Sequence, residues 1–217
     1  MRYKIIFWDI DNTLYDVDRN ESVGISPEVM EELLLGERTL FSLTEEERSD
    51  LVPYDGLAKL MQDIPRANQG VITNGGQQHQ EDKLRALGLF DLVNPKLIFT
   101  SYGEIEKILK DPKHPLYPTG PVNGKRELFR DIRKHTGKPK PYMFERAIQR
   151  SGSNVNECIM IGDNWKDIAG AQSIGMDSIL MCKDDQLIYN PWTKQKIQPT
   201  YRIKRGDVQG LREILKK

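Results

Sequence analysis

At 217 residues the chain is long enough to bury a full hydrophobic core, as one main domain with a small accessory one. Its 32 basic and 32 acidic side chains cancel, so no global field draws it toward nucleic acid or an anionic membrane. No apolar run approaches the roughly 18 residues needed to span a bilayer, and the two cysteines, Cys158 and Cys182, read as small buried hydrophobes of a reducing compartment.

The first element is an apolar strand near 3–9. It follows Met1 so closely that no signal peptide is expected, and the expected location is the cytoplasm. The strand runs into Asp9-Ile10-Asp11-Asn12-Thr13. Extended backbone alternates its side chains, so Asp9 and Asp11 would share a face at the strand's carboxyl end, where open α/β sheets keep their ligand crevice. Two acids this close repel one another unless a cation joins them or one holds a proton. The segment reads either as a divalent-metal site with a nucleophile and an acid/base, or as a strand running into an ordinary turn.

Residues 15–57 read as a small helical cap. Ser26-Pro27-Glu28 is a helix start, followed by Val29, Leu33 and Leu34 and a stop at Gly36. A second helix is expected from Thr44 through Glu45-Glu46-Glu47 to Leu51. Over 15–60 the chain holds twelve acids against four bases. That block is either a solvated face or, if it faces the site, a filter against highly anionic substrates.

A second strand, 69–73, ends Thr73-Asn74-Gly75-Gly76 before a helix from Gln77 to Leu87 that closes at Gly88. A hydroxyl and glycine-freed N–H groups at a helix start suit an anionic oxygen, although such a turn also occurs without a ligand. A strand near 96–101 leads to an insert over 103–137. It comprises a helix from Gly103 to Lys110, a Pro/Gly-rich stretch to Gly124, and a helix from Arg126 to His135 with Leu128, Phe129 and Ile132 inward. A second lid, a dimer contact, a grip on a second phosphate and a helical hairpin on the core's flank all fit that pattern.

Lys138-Pro139-Lys140-Pro141-Tyr142-Met143-Phe144 then sets a lysine ahead of a proline-opened helix expected over Tyr142 to Gln149. A strand at 157–162 ends in Gly162-Asp163, with Asp167 four residues on. Asp167 either faces a metal with Asp163 or sits in the first turn of a helix running to Ile174, where it favours the dipole. A strand at 177–182, a short edge strand at 200–203 and a helix over Leu211 to Leu215 complete the chain. His79, His114 and His135 are scattered and form no ligand-like pair. Strands alternating with helices give an α/β fold, a Rossmann-like parallel sheet with helices on both faces.

Taken in order, Asp9/Asp11/Thr13, Thr73/Asn74, Lys138 to Phe144, and Gly162/Asp163/Asp167 resemble the four motifs of the haloacid dehalogenase (HAD) superfamily, over about residues 3 to 182. The resemblance implies a catalytic core of 1–14 and 58–217 with 15–57 as cap. It implies Asp9 as a nucleophile forming an aspartyl-phosphate, and Asp11 as the acid/base. It implies Mg²⁺ held by Asp9, the Asp11 carbonyl and Asp163 with Asp167 close by, and Thr73, the Asn74 backbone N–H and Lys138 on the phosphoryl oxygens. Carbon–halogen members of the superfamily typically lack the second aspartate, so Asp11 points to phosphorus.

The expected activity is hydrolysis of a small phosphate ester, a nucleotide or sugar phosphate. A phosphomutase or a non-catalytic regulator that kept the fold are the alternatives. No membrane or nucleic-acid partner is expected, and an oligomer is compatible with the composition. Two features depart from the family pattern: the cap is short, and the passage from Ser101 to Lys138 is long.

Overall fold

The computed structural model describes residues 2–17, 43–120, 123–183 and 188–216. Six strands form one parallel sheet: β1 (Ile5–Trp8), β2 (Gln69–Thr73), β3 (Ile98–Thr100), β4 (Cys158–Gly162), β5 (Asp177–Cys182) and β6 (Tyr201–Lys204). Their order is β3-β2-β1-β4-β5-β6, every neighbouring pair parallel. The chain winds outward from β1 in one direction, then returns to start β4 on its other side. The switch between β1 and β4 opens a crevice at the carboxyl ends of those strands.

The α-helices of the described residues are α1 (Glu45–Asp50), α2 (Leu57–Gln62), α3 (Gln77–Ala86), α4 (Ser101–Leu109), α5 (Lys125–Thr136), α6 (Tyr142–Ser151), α7 (Trp165–Ser173) and α8 (Val208–Lys216). The two-residue period of the strands sorts them onto two faces. Ile6, Trp8, Val71, Ile159, Ile161, Ile179 and Met181 point to one face and pack on α2, α3 and α8 through Leu57, Met61, Leu84 and Leu211. Ile5, Phe7, Ile72, Phe99 and Met160 point to the other and meet Met143, Phe144 and Ala147 of α6 and Ala171 of α7. Both faces of β1 and β4 are buried, which is why those strands read as continuous apolar runs in the sequence.

The sequence places every strand, with ends shifted by a residue or two. Helix starts shift further, because side-chain caps set them. Thr100 accepts a hydrogen bond from the Gly103 N–H at 3.1 Å, so α4 opens at Ser101 and not at Gly103. Asn164 and Asp167 form a reciprocal capping box, so α7 opens at Trp165 and not at Asp167. Asp207 accepts from Gly210 N at 2.9 Å, and α8 begins at Val208, ahead of the expected Leu211. Thr44 and Glu47 cap α1 in the same reciprocal way. The helix expected from Ser26 to Gly36 lies outside the described residues. Cys158 is buried as expected, but Cys182 is only half-buried, on a strand that ends at the sheet's rim.

The insert is a helical hairpin. Tyr102, Ile105 and Ile108 of α4 pack on Leu128, Phe129 and Ile132 of α5, a small core of its own against the sheet's flank. It is joined to the main domain by Tyr142 at the start of α6, whose hydroxyl lies 3.3 Å from the buried Glu104 carboxylate and 3.3 Å from His114 Nε2. On the opposite side, Tyr15 forms an antiparallel bridge with Pro53, and Leu43 and Leu51 are buried in the main core.

Candidate active site

Asp9 lies one residue past β1, and its N–H still donates to Ile161 O at 2.8 Å. That bond keeps it on the ladder beside Gly162-Asp163. The chain then leaves the sheet in a tight turn: Leu14 N donates to Ile10 O at 2.9 Å, and Asn12 takes a left-handed φ of 57°, which asparagine tolerates better than most residues. This turn brings Asp11 back to the same pocket. Thr73 ends β2, and Asn74 follows it, its Oδ1 accepting from Lys138 N at 3.0 Å. Two loops far apart in sequence are thereby pinned together.

Lys138 is the centre of the arrangement. Its side chain is 4% exposed, and its ammonium donates to Asp9 Oδ1 at 2.7 Å, Asp167 Oδ1 at 2.5 Å and Ile72 O at 3.1 Å. Burial would push the lysine's pKa down, but the Asp167 and Asp9 carboxylates hold it well above its ordinary value, so it stays charged. Asp167 is completely buried and both its oxygens are engaged, Oδ1 by Lys138 and Oδ2 by Asn164 N at 3.0 Å. It sits in the first turn of a helix, one of the two readings the sequence offered, and lies beside Asp9 and Asp163. The preceding glycine is required by this packing: a Cβ at Gly162 would fall inside the Asp167 side chain.

Asp9, Asp163 and Asp167 each offer a carboxylate oxygen within 4.8 Å of the others. Burial pushes the Asp9 pKa up to about 7, helped by the charge of Asp167 and opposed by Lys138. Burial likewise raises Asp163 to about 8, with the charges of Asp9 and Asp167 adding to it, although Arg205 Nη2 sits 3.1 Å from its Oδ2. The cluster holds more negative charge than its neighbours neutralise. All-oxygen donors with surplus negative charge fit a hard divalent cation such as Mg²⁺.

Asp11 is held differently. Its Oδ1 accepts from Lys83 Nζ at 2.7 Å and from the Tyr15 hydroxyl at 2.6 Å. Burial alone would raise its pKa, but the charge and hydrogen bond of Lys83 and the hydrogen bond of Tyr15 outweigh it and bring the carboxyl below its ordinary value. Asp9, Asp11, Thr73, Asn74, Lys138, Asp163 and Asp167 all line one pocket of about 190 Å³, together with Asn12, Asn164 and Lys166. The seven residues singled out from the sequence thus converge.

Lys83, Tyr15 and Arg205 were not singled out. Lys83 carried one readable signal: with His79, Gln80 and Leu84 it lies on the inward stripe of α3, where a lysine needs a buried partner. Arg205, just past β6, gave none, since its partner lies 42 residues away.

The chain is similar to known proteins in sequence and in fold. Residues 135–201, which include Lys138, Asp163 and Asp167, match a family model described as "HAD-hyrolase-like". The chain is 29% identical over 171 residues to phospholysine phosphohistidine inorganic pyrophosphate phosphatase of Bos taurus, covering 76% of this chain and 59% of that protein. It therefore spans about three-fifths of the length of the curated relatives it matches. In fold it is similar to the Bacillus subtilis protein YfnB, whose crystals were bound to magnesium (TM-score 0.59, 18% identity, 100% of both chains). It is similar as well to a HAD phosphatase from Thermococcus onnurineus (TM-score 0.57, 21% identity, 98% of this chain and 97% of that one).

Proposed function

We propose that this chain, a member of the haloacid dehalogenase superfamily, is a magnesium-dependent phosphomonoester hydrolase of small metabolites that works through an aspartyl-phosphate on Asp9. The observation that carries the reading is the placement of Lys138, whose buried side chain lines a small polar pocket and bridges Asp9 and Asp167. Such a cation is positioned to hold a phosphoryl oxygen beside the attacking carboxylate.

Asp9, Asp163 and the Asp11 carbonyl would hold Mg²⁺, with Asp167 close by. When bound, the ion supplies positive charge that offsets the carboxylates and favours approach of an anionic phosphate. An Asp9 carboxylate oxygen attacks phosphorus, and the bond from phosphorus to the leaving oxygen breaks. Asp11, held as the carboxylate by Lys83 and Tyr15, takes up a proton from solvent once the anionic phosphate is bound and gives it to that oxygen as the alcohol departs. The Asp11 carboxylate then takes a proton from water, whose oxygen attacks phosphorus and releases inorganic phosphate from Asp9. Thr73, the Asn74 N–H and Lys138 hold the equatorial oxygens through both steps.

The segment between Tyr15 and Leu57 serves as the cap, joined to the core at the Tyr15–Pro53 bridge. Substrate candidates are nucleotide and sugar monophosphates. The name of the bovine relative adds phospholysine, phosphohistidine and inorganic pyrophosphate to the panel.

The test is hydrolysis of p-nitrophenyl phosphate with and without Mg²⁺, beside Asp9→Asn. Metal-dependent turnover that disappears in the variant supports the reading. Turnover within about tenfold of wild type in Asp9→Asn would rule out covalent catalysis by Asp9.

A further inference from the structure

Helix α3 turns a polar face inward: His79, Gln80 and Lys83 are buried beside Leu84. Lys83 is the extreme case, with only 2% of its side chain exposed. A lysine is rarely buried unless paired, because removing an ammonium from water is costly. Its partner is Asp11 Oδ1, at 2.7 Å. The same oxygen accepts the Tyr15 hydroxyl at 2.6 Å, and the Lys83 ammonium lies 6.0 Å from the centre of the Tyr15 ring. Both donors therefore converge on one carboxylate oxygen, and among the described residues Oδ2 accepts no hydrogen bond.

The three groups come from three parts of the chain. Asp11 follows β1, Lys83 belongs to the helix after β2, and Tyr15 sits where the chain departs for the cap and pairs with Pro53 on its return. An aspartate side chain at a turn can rotate about χ1 and χ2, and an acid/base that must meet first a leaving oxygen and then a water needs one fixed direction. Two donors from different elements on a single oxygen supply it. With Oδ1 pinned at the back, Oδ2 is the oxygen left to face the reacting groups in the pocket that Asp11 lines.

We propose that Lys83 and Tyr15 are positioning residues for the acid/base: they clamp Asp11 Oδ1 so that Oδ2 is presented to the leaving group. This rests on the phosphatase reading above, and it adds two residues that touch neither substrate nor metal.

The experiment compares wild type, Asp9→Asn, Lys83→Met, Lys83→Arg and Tyr15→Phe as full chains with Mg²⁺, on two substrates. p-Nitrophenyl phosphate has a leaving group that needs little protonation, whereas glycerol 2-phosphate releases an alkoxide that needs a proton. Loss of a correctly aimed acid falls on the second. Lys83→Met is expected to lower kcat about 100-fold on glycerol 2-phosphate and only a few-fold on p-nitrophenyl phosphate, with KM unchanged. Lys83→Arg should recover part of the loss, and Tyr15→Phe should show the same pattern at smaller amplitude.

Equal losses on both substrates, or a change confined to KM, overturn the proposal. If Lys83→Met does not fold, Tyr15→Phe decides alone, since it removes a single hydroxyl. Turnover lost in Asp9→Asn but with no leaving-group dependence in the clamp variants refutes the clamp and leaves the phosphatase reading standing. Turnover that survives in Asp9→Asn, or no wild-type turnover on either ester, overturns both.

Discussion

Two acids separated by a single residue have opposite electrostatic surroundings. Asp9 shares Lys138 with Asp167 and lies near Asp163, so three carboxylates face Lys138 and Arg205, two cations. Asp11 has Lys83 to itself and the Tyr15 hydroxyl besides. The first group is short of positive charge, which burial and mutual repulsion register as raised pKa values for Asp9 and Asp163. The second is neutralised, and its carboxyl moves down. Proximity in sequence thus says little about protonation. The unbalanced half has the charge and the oxygen donors that fit a cation, and the balanced half holds its carboxylate by two hydrogen bonds to one oxygen.

The contrast can be broken most severely at Asp9, the proposed nucleophile. Asp9→Asn is expected to lower kcat on p-nitrophenyl phosphate by about 10⁴-fold or more while circular dichroism reports an intact fold. Lys138→Met comes next. It removes the cation shared by Asp9 and Asp167, so kcat should fall by about 10²- to 10³-fold. Metal-free protein should also melt lower, since two buried acids lose their partner, and Mg²⁺ should restore more of the melting temperature than it adds to wild type. Equal metal-induced shifts in variant and wild type would mean the cluster is not short of charge.

A smaller effect is expected from pH. Burial and the neighbouring carboxylates push Asp9 up to about 7 and Asp163 up to about 8, above the ordinary 3.8. Between those limits the folded state holds protons that the unfolded chain has released. That stabilising contribution is complete below about pH 4 and is lost as pH rises through about 7 and then about 8. Melts in a chelator should therefore show stability falling across this window, by on the order of a few kcal/mol. Asp163→Asn should flatten the upper part of the slope. Asp11, lowered, acts in the opposite sense, and only in acid below the window.

Smallest of all, Arg205→Gln removes the cation 3.1 Å from Asp163. It should tighten Mg²⁺ binding several-fold by calorimetry, because the arginine competes with a metal for the same carboxylate. Weaker binding in the variant would instead make Arg205 a support for the ligand.

Much of this site is legible in the sequence. Asp9, Thr73 and Asp163 each follow an apolar run, and in a parallel sheet the carboxyl ends of such runs share one edge. The linear motifs are short because strand and following turn are contiguous, so strand, carboxylate and glycine appear together in the sequence. The two roles of Asp167 were also visible as alternatives. The structure shows the helix role, since a capping box uses one of its oxygens, and gives the other oxygen to Lys138. The insert's apolar stripes gave its two helices, with a hairpin as one of several readings, but not the Tyr142 hydroxyl that ties it to the main domain.

What the sequence determined by itself is the alternation of strands and helices and the chemistry at strand ends, because both depend on neighbours within a few residues. The tertiary structure alone decided which cation meets which acid. Lys83 lies 72 residues from Asp11, Lys138 lies 129 from Asp9, and Arg205 lies 42 from Asp163. Nothing local distinguishes a lysine that will be buried against a carboxylate from one left in water. The strand order 3-2-1-4-5-6 carries those side chains together. That packing divides two nearly adjacent aspartates into one short of positive charge and one held in place.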